Sequence, residues 1–185
     1  MSAEISAESK LSRAMLFVVL GSAALFFGAV SAIGYSAQLR SGAQQASPIQ
    51  ALVLLVTGAL LDFIGASIMY EGFGMLHSMG TVYDLGRYGT VVQLLSAVLI
   101  ASGFYLIVFS SSGTVGVLGS GFFVAGYLIG AVCASPVGTA FYDMGKRHDS
   151  TLVKSGAVLY VLVPLIGPLV LYLGLKSLKN KAERP

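Results

Sequence analysis

Five runs of roughly twenty apolar residues divide this chain, and each is about the length a helix needs to cross a 30 Å hydrocarbon layer. They lie at about 16–33, 49–69, 91–109, 115–134 and 152–175. Lys154, near the start of the fifth run, is the one Lys or Arg within them. Lipid offers nothing to a bare peptide group, so a spanning segment must satisfy its own backbone. Helices do this within a single run. A membrane β-barrel would show shorter segments of alternating polarity, and these are absent. Charged residues make up 10% of the 185-residue chain and hydrophobic residues 56%. A soluble domain carries about 25% charged residues, so this composition could not coat a core with polar surface. It also excludes a disordered chain, a coiled coil and a disulfide-stapled scaffold.

The expected fold is therefore all-α: a polytopic transmembrane helical bundle of about five helices with short loops. The bundle should occupy 15–176, preceded by a polar segment at 1–14 and followed by a basic tail at 177–185. The net charge of +3 comes from basic residues flanking the apolar runs. That placement points to anionic lipid head groups and not to nucleic acid. The first run has the look of a signal peptide in its basic flank, Lys10 and Arg13, and in Val30-Ser31-Ala32, which resembles a cleavage site. Its apolar stretch is too long for that role, so it reads as a membrane helix.

Ser110-Ser111-Ser112-Gly113 is an uncharged turn, which makes the third and fourth runs an antiparallel hairpin. Residues 34–48, 70–89 and 135–150 read as the other connections. A cytoplasmic N-terminus puts Lys10, Arg13, Arg87, Lys146 and Arg147 inside, as the positive-inside rule prefers. Five full crossings would then strand the basic tail (Lys176, Lys179, Lys181 and Arg184) outside. The fifth run contains Val163-Pro164-Leu165-Ile166-Gly167-Pro168. Proline removes a backbone donor and clashes with the preceding turn, so the run either kinks or returns as a re-entrant hairpin. The sequence favours a kinked crossing, because re-entrant backbone needs protein or water around it.

Glycines recur at helical spacing: Gly21 and Gly28; Gly58, Gly65 and Gly72; Gly119 and Gly126; Gly167 and Gly174. Small residues permit close helix approach where lipid removes the hydrophobic drive, so these stripes predict tight contacts, mostly within the chain. Tyr35, Tyr70, Tyr83, Tyr88, Tyr142 and Tyr172 fall near run ends, as an interfacial belt would require. Cys133, the single cysteine, excludes an internal disulfide and reads as a small buried hydrophobe.

Asp62 is the residue with most to say about chemistry. It lies deep in the second run and shares a helix face with Gly58 and Gly65. A carboxylate there costs about 2.5–3.5 kcal/mol or more unless solvated, paired or neutral, so it should face the bundle interior. It is a packing group or an intramembrane proton or cation site. Met75, His77 and Met79 combine two thioethers with an imidazole, a donor set suited to Cu(I) if the segment is extended; the plainer reading is an amphipathic loop. Asp84 and Arg87 are spaced to pair on a helix. His148 lies beside Lys146 and Arg147 in a charged turn. Neither histidine falls mid-run, as a buried bis-histidine haem would need. No nucleophile triad, phosphate loop or H-E-x-x-H pattern occurs, so no enzyme activity and no cofactor are expected.

The last forty residues run His148-Asp149-Ser150-Thr151, then Leu152-Val153-Lys154-Ser155-Gly156-Ala157, a break at Pro164 and Gly167, then Leu171-Tyr172-Leu173-Gly174-Leu175 and lysines. This pattern resembles a family of uncharacterised archaeal multi-pass membrane proteins. The resemblance implies a cell membrane location and carries no activity.

Three functions compete at this level. The first is an accessory or structural subunit of a larger membrane complex, with other membrane subunits or further copies of itself as partners. The second is a small transporter or channel protomer that uses Asp62. The third is a copper-handling protein built on Met75, His77 and Met79.

Overall fold

In a computed structural model, residues 2–40, 48–109, 113–163 and 165–182 are described. They form helices α1 (Ser2–Arg40), α2 (Pro48–Met75), α3 (Thr81–Phe109), α4 (Gly113–Arg147), α5 (Thr151–Leu162) and α6 (Ile166–Ala182), with a short 3-10 turn at His77–Met79 between α2 and α3. No strand occurs among the described residues. Helices α1 to α4 are long and apolar enough to cross a membrane. The polypeptide is a helical membrane bundle, as its apolar runs require.

The fifth run is not a kinked crossing helix. It breaks after Leu162 and folds back. Gly156 of α5 faces Leu171 of α6, Gly174 faces Val153, and a Cβ at Gly167 would collide with the backbone of Tyr160. The reversal is held by three backbone bonds to its own turn: Val163 N–H to Leu159 O at 2.7 Å, Ile166 N–H to Val163 O at 3.1 Å and Gly167 N–H to Val163 O at 2.9 Å. Pro164 lies outside the described residues. At the other end of α5, the Ser150 hydroxyl accepts from the Val153 N–H and caps the first turn.

Helices also extend well past the apolar runs. The 39 residues of α1 reach nearly 60 Å at about 1.5 Å per residue, twice the hydrocarbon thickness. Its first turns, expected as a polar segment, bury Ala7, Leu11 and Ala14 completely. The third run likewise begins later than its helix, and the fourth ends earlier than its helix. Residues 81–90 belong to α3 and 135–147 to α4, so the connections expected at 70–89 and 135–150 shrink to a few residues. Hydropathy marks the apolar part of a helix, whereas these outer turns are held by polar pairs it cannot register. Pro136 lies inside α4 and leaves the Val132 carbonyl without its helical donor. Residues 41–47, and 110–112 of the expected serine turn, lie outside the described residues. Even so, α3 and α4 pair antiparallel, with Gly103 against Phe123 and Gly119.

Each helix packs on its neighbour in the chain, and α6 returns to α1 to close a ring of six. The large buried side chains sit in the half of the bundle that holds the α2–α3 and α4–α5 turns. Phe73, Phe141, Tyr83, Met69, Met144 and Leu11 are almost wholly enclosed there. The Phe73 and Phe141 rings are 5.1 Å apart, and Phe141 meets Tyr160 edge-on at 6.3 Å. The opposite half displays apolar side chains outward. Phe27, Ile33, Val53, Leu60, Val117 and Leu128 are all more than half exposed, which suits lipid and not water.

Ion pairs lace the packed end. Lys10 meets Glu71 at 2.7 Å. Asp143 accepts from Arg147 Nε at 2.8 Å and from the Tyr83 hydroxyl at 3.1 Å, and Arg147 also donates to the Met79 carbonyl at 2.9 Å. Lys154 donates to Asp149 at 2.9 Å and holds that exposed carboxyl below the usual carboxylate range. Tyr83 is therefore a buried strut and not part of an interfacial belt. Tyr88 and Tyr142 are exposed, and Lys146 and Lys176 lie over the Tyr142 and Tyr172 rings.

Candidate functional site

Where the packed half of the bundle meets the open half, all six helices line one cavity of about 310 Å³. That is the lower range of small-ligand pockets. Its walls are mainly apolar, with polar groups that include Ser22 of α1, Asp62 of α2, Gln93 and Ser96 of α3, and Tyr127 of α4. The tip of the α5–α6 hairpin supplies Tyr160 and Pro168. The broken fifth run thus does more than return the chain. It carries a wall of the cavity.

Asp62 enters this space because α1 yields at Gly21. The two helices approach so closely that a Cβ at Gly21 would overlap the Asp62 carboxylate, and a Cβ at Gly58 would lie 2.7 Å from the Leu25 amide nitrogen. Asp62 Oδ1 is shielded from solvent and has no hydrogen-bond partner among the described residues. Apart from Arg40 at the far end of α1, every other described charged side chain lies at or near the packed end. The carboxylate is thus set apart from the cations that neutralise its counterparts.

On another wall, Tyr160 OH lies 2.6 Å from Gln93 Nε2 and 2.9 Å from Gln93 Oε1, joining α5 to α3. The Ser96 hydroxyl is engaged with the Gly126 carbonyl at 2.7 Å and serves the α3–α4 contact. Gln93 and Tyr160 are therefore the polar pair that faces the cavity together with Asp62. A buried carboxylate in low dielectric takes up a proton or a cation, and an amide and a phenol beside it give a bound solute both donor and acceptor contacts.

The other sequence candidates are placed differently. Met75 ends α2 and Met79 closes the 3-10 turn, and both pack against the hydrophobic core. His77 is exposed, and its Nδ1 lies 2.6 Å from Asp84 Oδ1. The extended strand that would turn all three to one side is replaced by helical turns. Asp84 takes His77 as its partner rather than Arg87, whose guanidinium lies 4.0 Å from the Tyr70 ring centre. Cys133 is buried, as a small hydrophobe should be. His148 is not in a purely basic turn: its Nε2 reaches two glutamates of α1, Glu8 at 2.8 Å and Glu4 at 3.4 Å. Sequence reasoning missed this cluster. Its one local signal was the i, i+4 spacing of Glu4 and Glu8, which sets two carboxylates on one helix face.

A ring of apolar helices around a small, partly polar chamber defines a helical membrane protein with an internal cavity. The chain belongs to the family described as protein of unknown function (DUF973), which matches residues 4–184. No curated protein and no solved structure matches it.

Proposed function

We propose that the protein is a small membrane transporter or channel protomer, without enzyme activity, that admits a proton or small cationic solute to the chamber between its helices. Asp62 is the counter-charge, and the Gln93–Tyr160 pair contributes polar contacts. The observation that carries this reading is a shielded Asp62 oxygen without a partner among the described residues, on a residue that lines a cavity walled by all six helices. A packing carboxylate would be expected to find a donor, because an unmet buried acceptor costs about 1–3 kcal/mol. The hairpin is the element suited to gate the chamber, since its tip forms one wall and is tied to α3 by one side-chain pair.

The test is flux through vesicles holding the purified protein. Proton movement is followed with a trapped pH dye, and uptake of labelled methylammonium is followed alongside. Wild-type flux should stand clear of protein-free vesicles, and Asp62→Asn should reduce it by about tenfold or more, the scale of one lost charge–charge contact. Equal flux in both proteins would remove Asp62 from the mechanism. No flux in either would overturn the reading.

The topology supports an orientation in the cell membrane. With the fifth run folded back, the start of α1, the α2–α3 and α4–α5 turns and the end of α6 share one face. Every described basic residue except Arg40 belongs to that end. The positive-inside rule makes it cytoplasmic. The basic end of α6 then no longer lies outside.

The accessory-subunit reading keeps one observation in its favour. Gly116 and Gly121 of α4 have open space where a side chain would be, and the exposed Ser120 lies beside them. A small-residue face of this kind accepts a close helix from another chain or a second copy. Purification from native membranes with a partner at stoichiometric amounts would favour it, and a chain that runs alone in mild detergent would count against it.

A further inference from the structure

Glu4, Glu8 and His148 offer three ligand atoms that all lie within 4.8 Å of one another, at the packed end and away from the Asp62 chamber. We infer that they form a binding site for a divalent transition-metal cation of the zinc type, which ties the start of α1 to the turn between α4 and α5. The inference stands apart from the proposed transport role.

The donor set is mixed: one imidazole nitrogen and two carboxylate oxygens. Zinc accepts both donor types, commonly from three protein ligands with water completing the shell. The geometry is close to what the ion needs. Ligand atoms at about 2.0–2.1 Å from a tetrahedral zinc lie about 3.4 Å apart. His148 Nε2 and Glu4 Oε1 are separated by 3.4 Å, whereas Nε2 and Glu8 Oε1 are at 2.8 Å. The second separation must widen by roughly half an ångström to admit the metal, a small rotation of a side chain.

The fold holds these atoms in place from both sides. Glu4 and Glu8 are one turn apart on α1. His148 follows the last turn of α4, with its N–H on the Met144 carbonyl at 3.2 Å. The next residue, Asp149, turns the chain with φ 43°, a left-handed conformation that aspartate tolerates. Glu8 is only 3% exposed, whereas Glu4 and His148 are each a little over a quarter exposed. The site thus has a buried anchor and two ligands reachable from water.

Charge points the same way. Two carboxylates converge on one imidazole; Arg147 is near enough to Glu4 to interact with it, but the hydrogen bonds of Arg147 and Lys10 go to other partners. Lys10 is on Glu71, and Arg147 is on Asp143 and the Met79 carbonyl. A divalent cation complements two carboxylates facing one imidazole, and neutral imidazole is the form that ligates metals.

Full-length protein in mild detergent, stripped with a chelator and dialysed, tests the site with Zn2+ alone. Calorimetric titration should give about one Zn2+ per chain, and the thermal midpoint should rise on addition and fall again with chelator. Glu4→Gln and His148→Gln should each weaken binding by about tenfold or more. Both positions are partly exposed, so the metal-free thermal midpoint of each variant serves as its check on folding. His77→Ala should bind as wild type does, which separates this site from the other histidine. Stripped wild type that takes up no Zn2+ would overturn the inference. So would a Glu4→Gln or His148→Gln protein that binds with unchanged affinity.

Discussion

Gly21 and Asp62 occupy the same contact between α1 and α2: the carboxylate sits where a side chain on Gly21 would have to go. The absence of a single methyl group on one helix is what allows a charged group on the next to reach the chamber. Gly21→Ala should therefore push Asp62 aside or force the helices apart. Overpacking of this kind costs about 1–3 kcal/mol. The expected result is a lower thermal midpoint in detergent, together with reduced flux in vesicles. An alanine protein with unchanged stability and flux would show that the contact is loose.

The bond between Gln93 and Tyr160 fastens the α5–α6 hairpin to α3. Tyr160→Phe removes the hydroxyl and leaves the amide facing an apolar wall. Interhelical bonds in membranes average about 0.6 kcal/mol and reach about 1.7, so the loss in stability should be modest. Gln93→Leu should cost a similar amount. The two changes together should cost clearly less than their sum, because each removes the same side-chain interaction. Chemical denaturation of the two single variants and the double variant in detergent measures this coupling.

Phe141 is fully buried between Phe73 and Tyr160. Truncation to alanine would open a cavity in the packed half of the bundle. Losses of about 3–5 kcal/mol accompany such changes in other cores, and Phe141→Ala should lose a similar amount. Its yield after detergent extraction and its thermal midpoint should both drop sharply. By contrast, Glu71→Gln breaks an exposed pair with Lys10 that solvent screens; its midpoint should barely move.

Gly167 tests the reversal itself. A side chain there would strike the backbone of Tyr160, so Gly167→Val should prise α6 from α5. With the hairpin intact, tags at the two ends of the chain should be reachable from the same side of a sealed vesicle. Protease protection of both tags checks this arrangement. In the valine variant the C-terminal tag should lose that uniform protection pattern, or the protein should fail to accumulate. Opposite accessibility of the two ends in the wild type would refute the hairpin topology.

The class of fold was open to view in the apolar runs, because a bilayer imposes a length that composition alone reveals. The helix ends were not. Residues such as Asp143, Arg147 and Lys10 look like loop residues until their partners are known, and those partners come from other helices: Tyr83, the Met79 carbonyl and Glu71. The break in the fifth run was legible at Pro164, Gly167 and Pro168, but its angle was not. Proline states where helical bonding stops, whereas the close seat of Gly167 on Tyr160 decides where the chain goes next. Asp62 was conspicuous as a charge in an apolar stretch. Gln93 and Tyr160 were ordinary residues until the topology brought them to the same space. The same holds for His148, whose meeting with Glu4 and Glu8 depends on where the fold brings the start of α1 relative to the turn between α4 and α5.

The ring of helices closes only where α6 returns to α1. During synthesis α1 leaves the ribosome first and α6 last, so the wall that joins them is assembled at the end. A nascent chain holding only α1 to α4 has the Asp62 carboxylate already in the bilayer with its enclosure unfinished. Insertion of the final hairpin is then the step that converts four greasy rods into a vessel.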